Sequence, residues 1–271
     1  MPFDLFSEPR DHKPHTAVAD FLRAAVHSAV EDPVNGVGQF IDHTFGTHLP
    51  KLDIVAEPND NVYSRVGNIF GASLDYLLLS RLTDGIYSKV GLQNKIIGAG
   101  LTGALFEFTR PVAEGSGQNY WALKAKNETA AFATFATMQA ADQILETHTK
   151  IFGQPGTRTF FQDVALGGIS AAPGGLVDTE MHSLLDGKGL TTKDLGQNIA
   201  SYGLFGAFAN GVGHGAGKFV DYVKDQTPTP GKSLPGDWLR NVQFDLLGKK
   251  VEPWKPRRVE AKADPRERVG S

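Results

Sequence analysis

The sequence predicts an all-α protein: a multi-helix bundle with a degenerate internal duplication of glycine-rich paired helices, flanked by flexible termini. Three observations carry this. Apolar residues recur at three- and four-residue spacing along most of the 271 residues. Almost no segment shows the β-branched alternation of a strand. Finally, two stretches resemble each other at an offset that stays within one residue of 103. The first runs through Gly71, Leu74, Asp75, Ser80, Leu82, Gln93, Asn94, Gly100, Leu101 and Gly103. The second runs through Gly174, Val177, Asp178, Ser183, Leu185, Gln197, Asn198, Gly203, Leu204 and Gly206.

Each element follows from local signals. Residues 1–14 hold three prolines and mixed charge and read as a flexible lead-in. Thr16 is the predicted cap of a helix with Val18, Phe21, Leu22, Ala25, Val26 and Val30 inward. Asp32-Pro33 opens a second helix, with Val34, Val37, Phe40, Ile41 and Phe45 inward and an end near Gly46. An extended connector, Leu49–Val55, closes a first segment at 15–57.

Residues 58–155 form the first copy. It comprises a helix from Val62 to about Leu82 broken at Asp84-Gly85, a second over 93–108, a glycine loop at 114–118, and a helix capped by Asn127 that Gly153 and Pro155 stop. Tyr120–Lys126 is the one strand-like exception. Residues 156–226 form the second copy, with helices over 159–172, 174–185 and 192–223. Residues 227–271 are an extended basic tail, in which Trp238, Leu239, Val242, Phe244 and Leu246 mark one further docking segment.

The composition narrows function. A net charge of −3 argues against a dedicated nucleic-acid binder, although the tail from Gly248 holds eight Lys/Arg against four Asp/Glu. The absence of cysteine removes disulfides, thiolate metal sites and thiol nucleophiles, and with no secretory signal at the start it favours a cytoplasmic location. The longest apolar runs fall short of the roughly 20 residues of a spanning helix, so a soluble protein is the expectation, and membrane association is left open only without spanning.

Gly98, Gly100 and Gly103, following Ile96-Ile97, match the dinucleotide fingerprint G-x-G-x-x-G. The strand before it is too short, and no acid lies at the ribose-binding distance. The second copy keeps Gly203 and Gly206 but has Ser201 in place of Gly98. Small residues at helical spacing remain, and they let helices approach closely. Gly67, Gly71, Gly100, Gly103, Gly203, Gly206, Gly211 and Gly215 are therefore read as helix contacts, and no cofactor is assigned. Gly211–Lys218 lacks the glycine and hydroxyl of a phosphate loop.

The histidines show no zinc-ligand spacing, so no metal is assigned, and Asp178, His182, Ser183 and Asp186 sit on one short segment without a nucleophile elbow. No catalytic residue is assigned. Asp75 and Asp178 occupy equivalent positions on apolar helix faces, where a carboxylate needs a partner. A pseudo-twofold arrangement of the copies would bring the two together.

The run Asp32–Val55 (DPVNGVGQFIDHTFGTHLPKLDIV), followed by glycine- and alanine-rich paired helices, resembles segments of large bacterial proteins of uncharacterised activity. The resemblance implies a bacterial helical module and brings no catalytic residue with it. The expected function is a structural or interaction module without enzymatic activity, with a protein partner or a second copy as its ligand. The second expectation is a membrane-active or oligomer-forming protein. The third is a dinucleotide-dependent oxidoreductase acting through Gly98–Gly103.

Overall fold

The computed structural model describes residues 17–56, 58–112, 119–187 and 189–226. Within them every regular element is helical: α1 (Ala17–Val26), a π-helical segment (His27–Glu31), α2 (Asp32–Phe45), α3 (Val62–Lys89), α4 (Lys95–Phe108), α5 (Tyr120–Glu146), the single turn α6 (Thr149–Phe152), α7 (Phe160–Asp186) and α8 (Thr192–Gln226). The chain divides into a unit from Met1 to Phe219 and a second from Val220 to Ser271, of which only the end of α8 is described. The lead-in, Thr16, the glycine loop at 114–118 and the basic tail with Trp238 lie outside the described residues.

Polar caps start the long helices. Asn61, Asn94 and Asn119 each accept bonds from backbone N–H groups in the first turn of α3, α4 and α5. Thr159 and Gln162 form a reciprocal capping box at α7. The core lies where α3, α4, α5 and α8 converge. Ile69, Ala72, Phe106, Ala131, Phe135 and Phe205 are its buried members. Tyr76 stacks on Phe135 at 4.5 Å between ring centroids, and Phe106 and Phe205 meet both rings edge-on.

Several boundaries differ from those the sequence predicts. α3 runs through Asp84-Gly85 instead of breaking there. The Thr83 hydroxyl lies within hydrogen-bond distance of the Leu79 and Ser80 carbonyls and, at 2.8 Å, of the Thr102 hydroxyl on α4. One interior glycine costs a helix about 1 kcal/mol, which this anchoring offsets. α5 begins at Tyr120, so the strand-like stretch is helical, with Tyr120 and Lys124 inward. Asn127 is no cap; its side-chain amide donates to Glu107 at 3.3 Å. α7 is one helix that carries Pro173 in its interior, not two. The proline penalty of about 3 kcal/mol is set against tight packing on either side, at Gly167, Gly174 and Gly175.

The largest correction concerns the N-terminal arm, α1 to α2. Val18, Leu22, Val26, Val30, Val34, Val37 and Phe45 face solvent, whereas Asp20, Ala24, Ala25, Ser28, Glu31 and Gly36 are buried. Close approach is the reason. The Phe21 and Ala25 carbonyls occupy the space where side chains on Gly67 and Gly71 would begin. Only small or hydrogen-bonding residues fit at that separation, so the valines and Leu22 turn outward; of the residues expected inward, Ala25 is buried and Phe21 and Phe40 pack on Phe70 and Phe108.

The bonds across this seam are specific. The Asp20 carboxylate accepts from the Asn59 and Asn61 amides at 3.1 and 2.7 Å. Glu31 accepts the backbone N–H groups of Ile54 and Val55, which pins the 49–55 connector. Asn35 exchanges two bonds with the backbone of Leu52, and Gln39 does the same with Val112. The connector has no strand pairing and is held by these side chains.

Candidate functional site

The densest polar constellation is built around Arg110, immediately beyond α4. Its guanidinium is buried and lies 4.5 Å over the Phe106 ring. Nη1 donates to the Ser28 carbonyl at 2.7 Å, to the Ser28 hydroxyl at 3.0 Å and to Asp32 Oδ2 at 3.0 Å. Nη2 donates to Asp75 Oδ2 at 3.1 Å. One side chain therefore ties the end of α4 to the π-segment, the start of α2 and the middle of α3.

Local structure makes this possible. In the π-segment the Asp32 N–H bonds the His27 carbonyl five residues back, and the Ser28 carbonyl is turned toward Arg110. Gly36 lets the backbone of Thr109 and Arg110 press against α2. Lys124 of α5 then holds the end of α4: its ammonium donates to the carbonyls of Glu107, Phe108 and Arg110, neutralising the negative helix terminus. Burial pushes the Lys124 ammonium below its ordinary value, with Glu107 and Glu128 opposing the shift.

Asp75 is the sequence-predicted member of this cluster. Burial raises its carboxyl to about 6, against the lowering effect of Arg110, and neighbouring Asp32 adds to the rise. Its equivalent, Asp178, has a partner set of its own. The Asn198 amide donates to Asp178 at 3.3 Å and to the Thr179 hydroxyl at 2.8 Å. His182 lies 3.6 Å from Asp178 and is pushed below its ordinary value by burial, with Asp178 opposing. The Tyr202 hydroxyl, raised by burial first, also bonds Asp178. The two aspartates are thus held in separate networks. The neighbouring Asp186 is paired with Lys126.

Among the predicted helix-contact glycines, Gly67 and Gly71 meet α1 as described above, and Gly206 meets the backbone of Gly167 on α7. Gly203 lies opposite the Gly168 carbonyl at a looser 3.5 Å from where a Cβ would sit. Gly100 and Gly103 accommodate the Phe132 and Phe135 rings of α5, so on this helix the small residues make room for side chains. Gly211 faces Val164 and Phe160. A side chain on Gly215 would meet nothing within 4 Å. The sequence reading did not single out Gly36, Gly167 or Gly175, which make contacts as tight as any of these.

Gly98, Gly100 and Gly103 lie inside α4, and the Gly98 amide bonds the Asn94 carbonyl at 2.9 Å. Asn94 caps this helix where a dinucleotide fold would place a strand end, so the phosphate-binding turn is not formed. Gly211–Lys218 likewise lies within α8. Among the described residues no group of three or more His, Asp or Glu side chains could hold a metal ion, and no helix is long and apolar enough to cross a membrane. His43 stacks on Tyr120 at 4.0 Å.

No family model, curated protein or solved structure matches the chain.

Arg110, Lys124 and Ser28 carry no signature in the sequence, and Asp32 reads there only as a helix start. The signal that points to Arg110 is the requirement that a carboxylate at Asp75 have a cation within reach.

Proposed function

We propose that the chain is a non-enzymatic helical interaction module that self-associates through its N-terminal arm. The observation that carries this is the outward ridge of Val18, Leu22, Val26, Val30, Val34 and Val37. In an α-helix each four-residue step overshoots a full turn by about 40°, so such a ridge winds away around the axis. The wider π-turn at 27–31 undershoots and brings the ridge back into line across both helices. A straight aliphatic ridge facing water fits a contact surface. The groups with reactive chemistry support the same reading: Arg110, Asp75, Lys124 and Asp178 each hold helices together.

The internal duplication belongs to this proposal. It is supported by Asp75 and Asp178, which lie at equivalent positions on α3 and α7, both buried and both bonded to a side chain on another segment.

Sedimentation velocity over a range of concentrations tests the assembly. The expected result is a concentration-dependent oligomer that Leu22→Glu with Val30→Glu converts to monomer at unchanged helical content. A wild-type protein that stays monomeric at every concentration overturns self-association. A purified protein that retains flavin or binds nicotinamide nucleotide overturns the non-enzymatic reading.

A further inference from the structure

The far end of the α3–α4 hairpin presents a second aliphatic surface, distinct from the arm. Leu78, Leu82, Ile86 and Val90 follow one another at four-residue spacing and are 64%, 67%, 57% and 70% exposed. On α4 the exposed Ile97, Leu101 and Leu105 repeat the spacing. The hairpin closes at Gly91, whose φ of 75° ends α3, and at the Tyr87 ring, which packs against Gly98. The Thr83–Thr102 bond joins the two helices where the exposed portion begins.

Charge distinguishes this tip from the rest of the chain. Between residues 78 and 97 stand Arg81, Lys89 and Lys95 against the single carboxylate of Asp84, in a chain whose net charge is −3. All four are exposed, and none of the three cations makes an ion pair within 4 Å among the described residues, although Lys95 acts on the half-buried Asp142 of α5. Cations with long aliphatic stems beside an aliphatic ridge match an interface whose apolar layer lies just beneath a sheet of negative charge.

We propose that the α3–α4 tip docks on an anionic lipid bilayer surface. The Leu78–Val90 ridge enters the boundary between headgroups and acyl chains, while Arg81, Lys89 and Lys95 meet the lipid phosphates. Nothing spans the bilayer. The proposal shares with the proposed function the view that outward ridges are contact surfaces, but it uses different residues.

Flotation of the full chain with vesicles of phosphatidylcholine alone, or with phosphatidylserine added, tests it. Binding is expected on the phosphatidylserine vesicles and is expected to weaken as salt rises. Each cation lost near such a surface weakens binding by roughly fivefold, so Arg81→Ala with Lys89→Ala should weaken it by about 25-fold. Leu82→Gln with Ile86→Gln should abolish binding, while Leu22→Glu with Val30→Glu should leave it intact.

The chain contains no cysteine, so Ile86→Cys carrying an environment-sensitive dye gives a second readout. Its emission should shift to the blue on phosphatidylserine vesicles. No binding to either vesicle, or equal binding to both, overturns the proposal. So does a tip variant that abolishes self-association while vesicle binding persists, because the tip is then an interface between copies.

Discussion

Asp75 Oδ2 and Arg110 Nη2 meet at 3.1 Å, and this contact joins the middle of α3 to the chain just beyond α4. Both side chains are buried. The Nε of Arg110 has no hydrogen-bond partner among the described residues, so the guanidinium relies on its two terminal nitrogens. Removing a buried cation leaves its carboxylates without compensation, which costs more than deleting both members.

Arg110→Met should therefore destabilise the fold by about 3–5 kcal/mol, because Asp32 and Asp75 lose their shared cation. Arg110→Met with Asp75→Leu should be less destabilised than the single variant. Urea unfolding of the four proteins in the cycle measures the coupling. A double variant destabilised by the sum of the two single losses would show that the two side chains act independently.

The pH dependence has a definite sign. Asp75 in the folded chain sits at about 6, above its ordinary carboxylate value, so the folded state holds a proton that the unfolded state releases. The resulting stability is fully present below the unfolded value and is lost as pH rises through about 6. Unfolding free energy should fall across this window in the wild type relative to Asp75→Asn. Parallel profiles for the two proteins would remove Asp75 as the source.

Glycine substitutions should separate by their surroundings. Gly67→Ala, Gly71→Ala and Gly206→Ala place a methyl on a backbone carbonyl, which has nowhere to retreat, and should lower the melting temperature. Gly85→Ala and Gly215→Ala enter open space on a helix and should stabilise by about 0.5–1 kcal/mol. Thermal unfolding followed by circular dichroism reads both signs.

Lys124→Leu should cost about 1–3 kcal/mol, because the carbonyls of Glu107, Phe108 and Arg110 lose a common donor. Its local signature is faster amide exchange in the last turn of α4. Unchanged exchange there would place the loss elsewhere.

The sequence was legible where a signal is local. Gly46, in the left-handed conformation at φ 67°, ends α2 where predicted. The all-helical class was legible too, because it rests on a period shared by many segments. Facing was not. Apolar periodicity identifies an amphipathic helix and assumes that its apolar side turns inward, but at Val18–Val37 the glycine seam with α3 reverses that choice. Breaks at Gly85 and Pro173 were over-predicted because tertiary contacts sustain helix through both. In the candidate site, Asp75 was visible as a carboxylate on an apolar face. Its partner Arg110 lies 35 residues away, and no local rule connects them.

The π-segment acts as a phase adjustment between two lengths of helix. Were His27–Glu31 to keep all its residues and continue as α-helix, one flank would rotate against the other by about 100°, the turn of one residue. The ridge would then split into two faces. Asp32 could no longer address Arg110 while Asp20 addressed Asn59 and Asn61. The wide turn takes up one residue's rotation and so lets both halves of the arm grip the body at once.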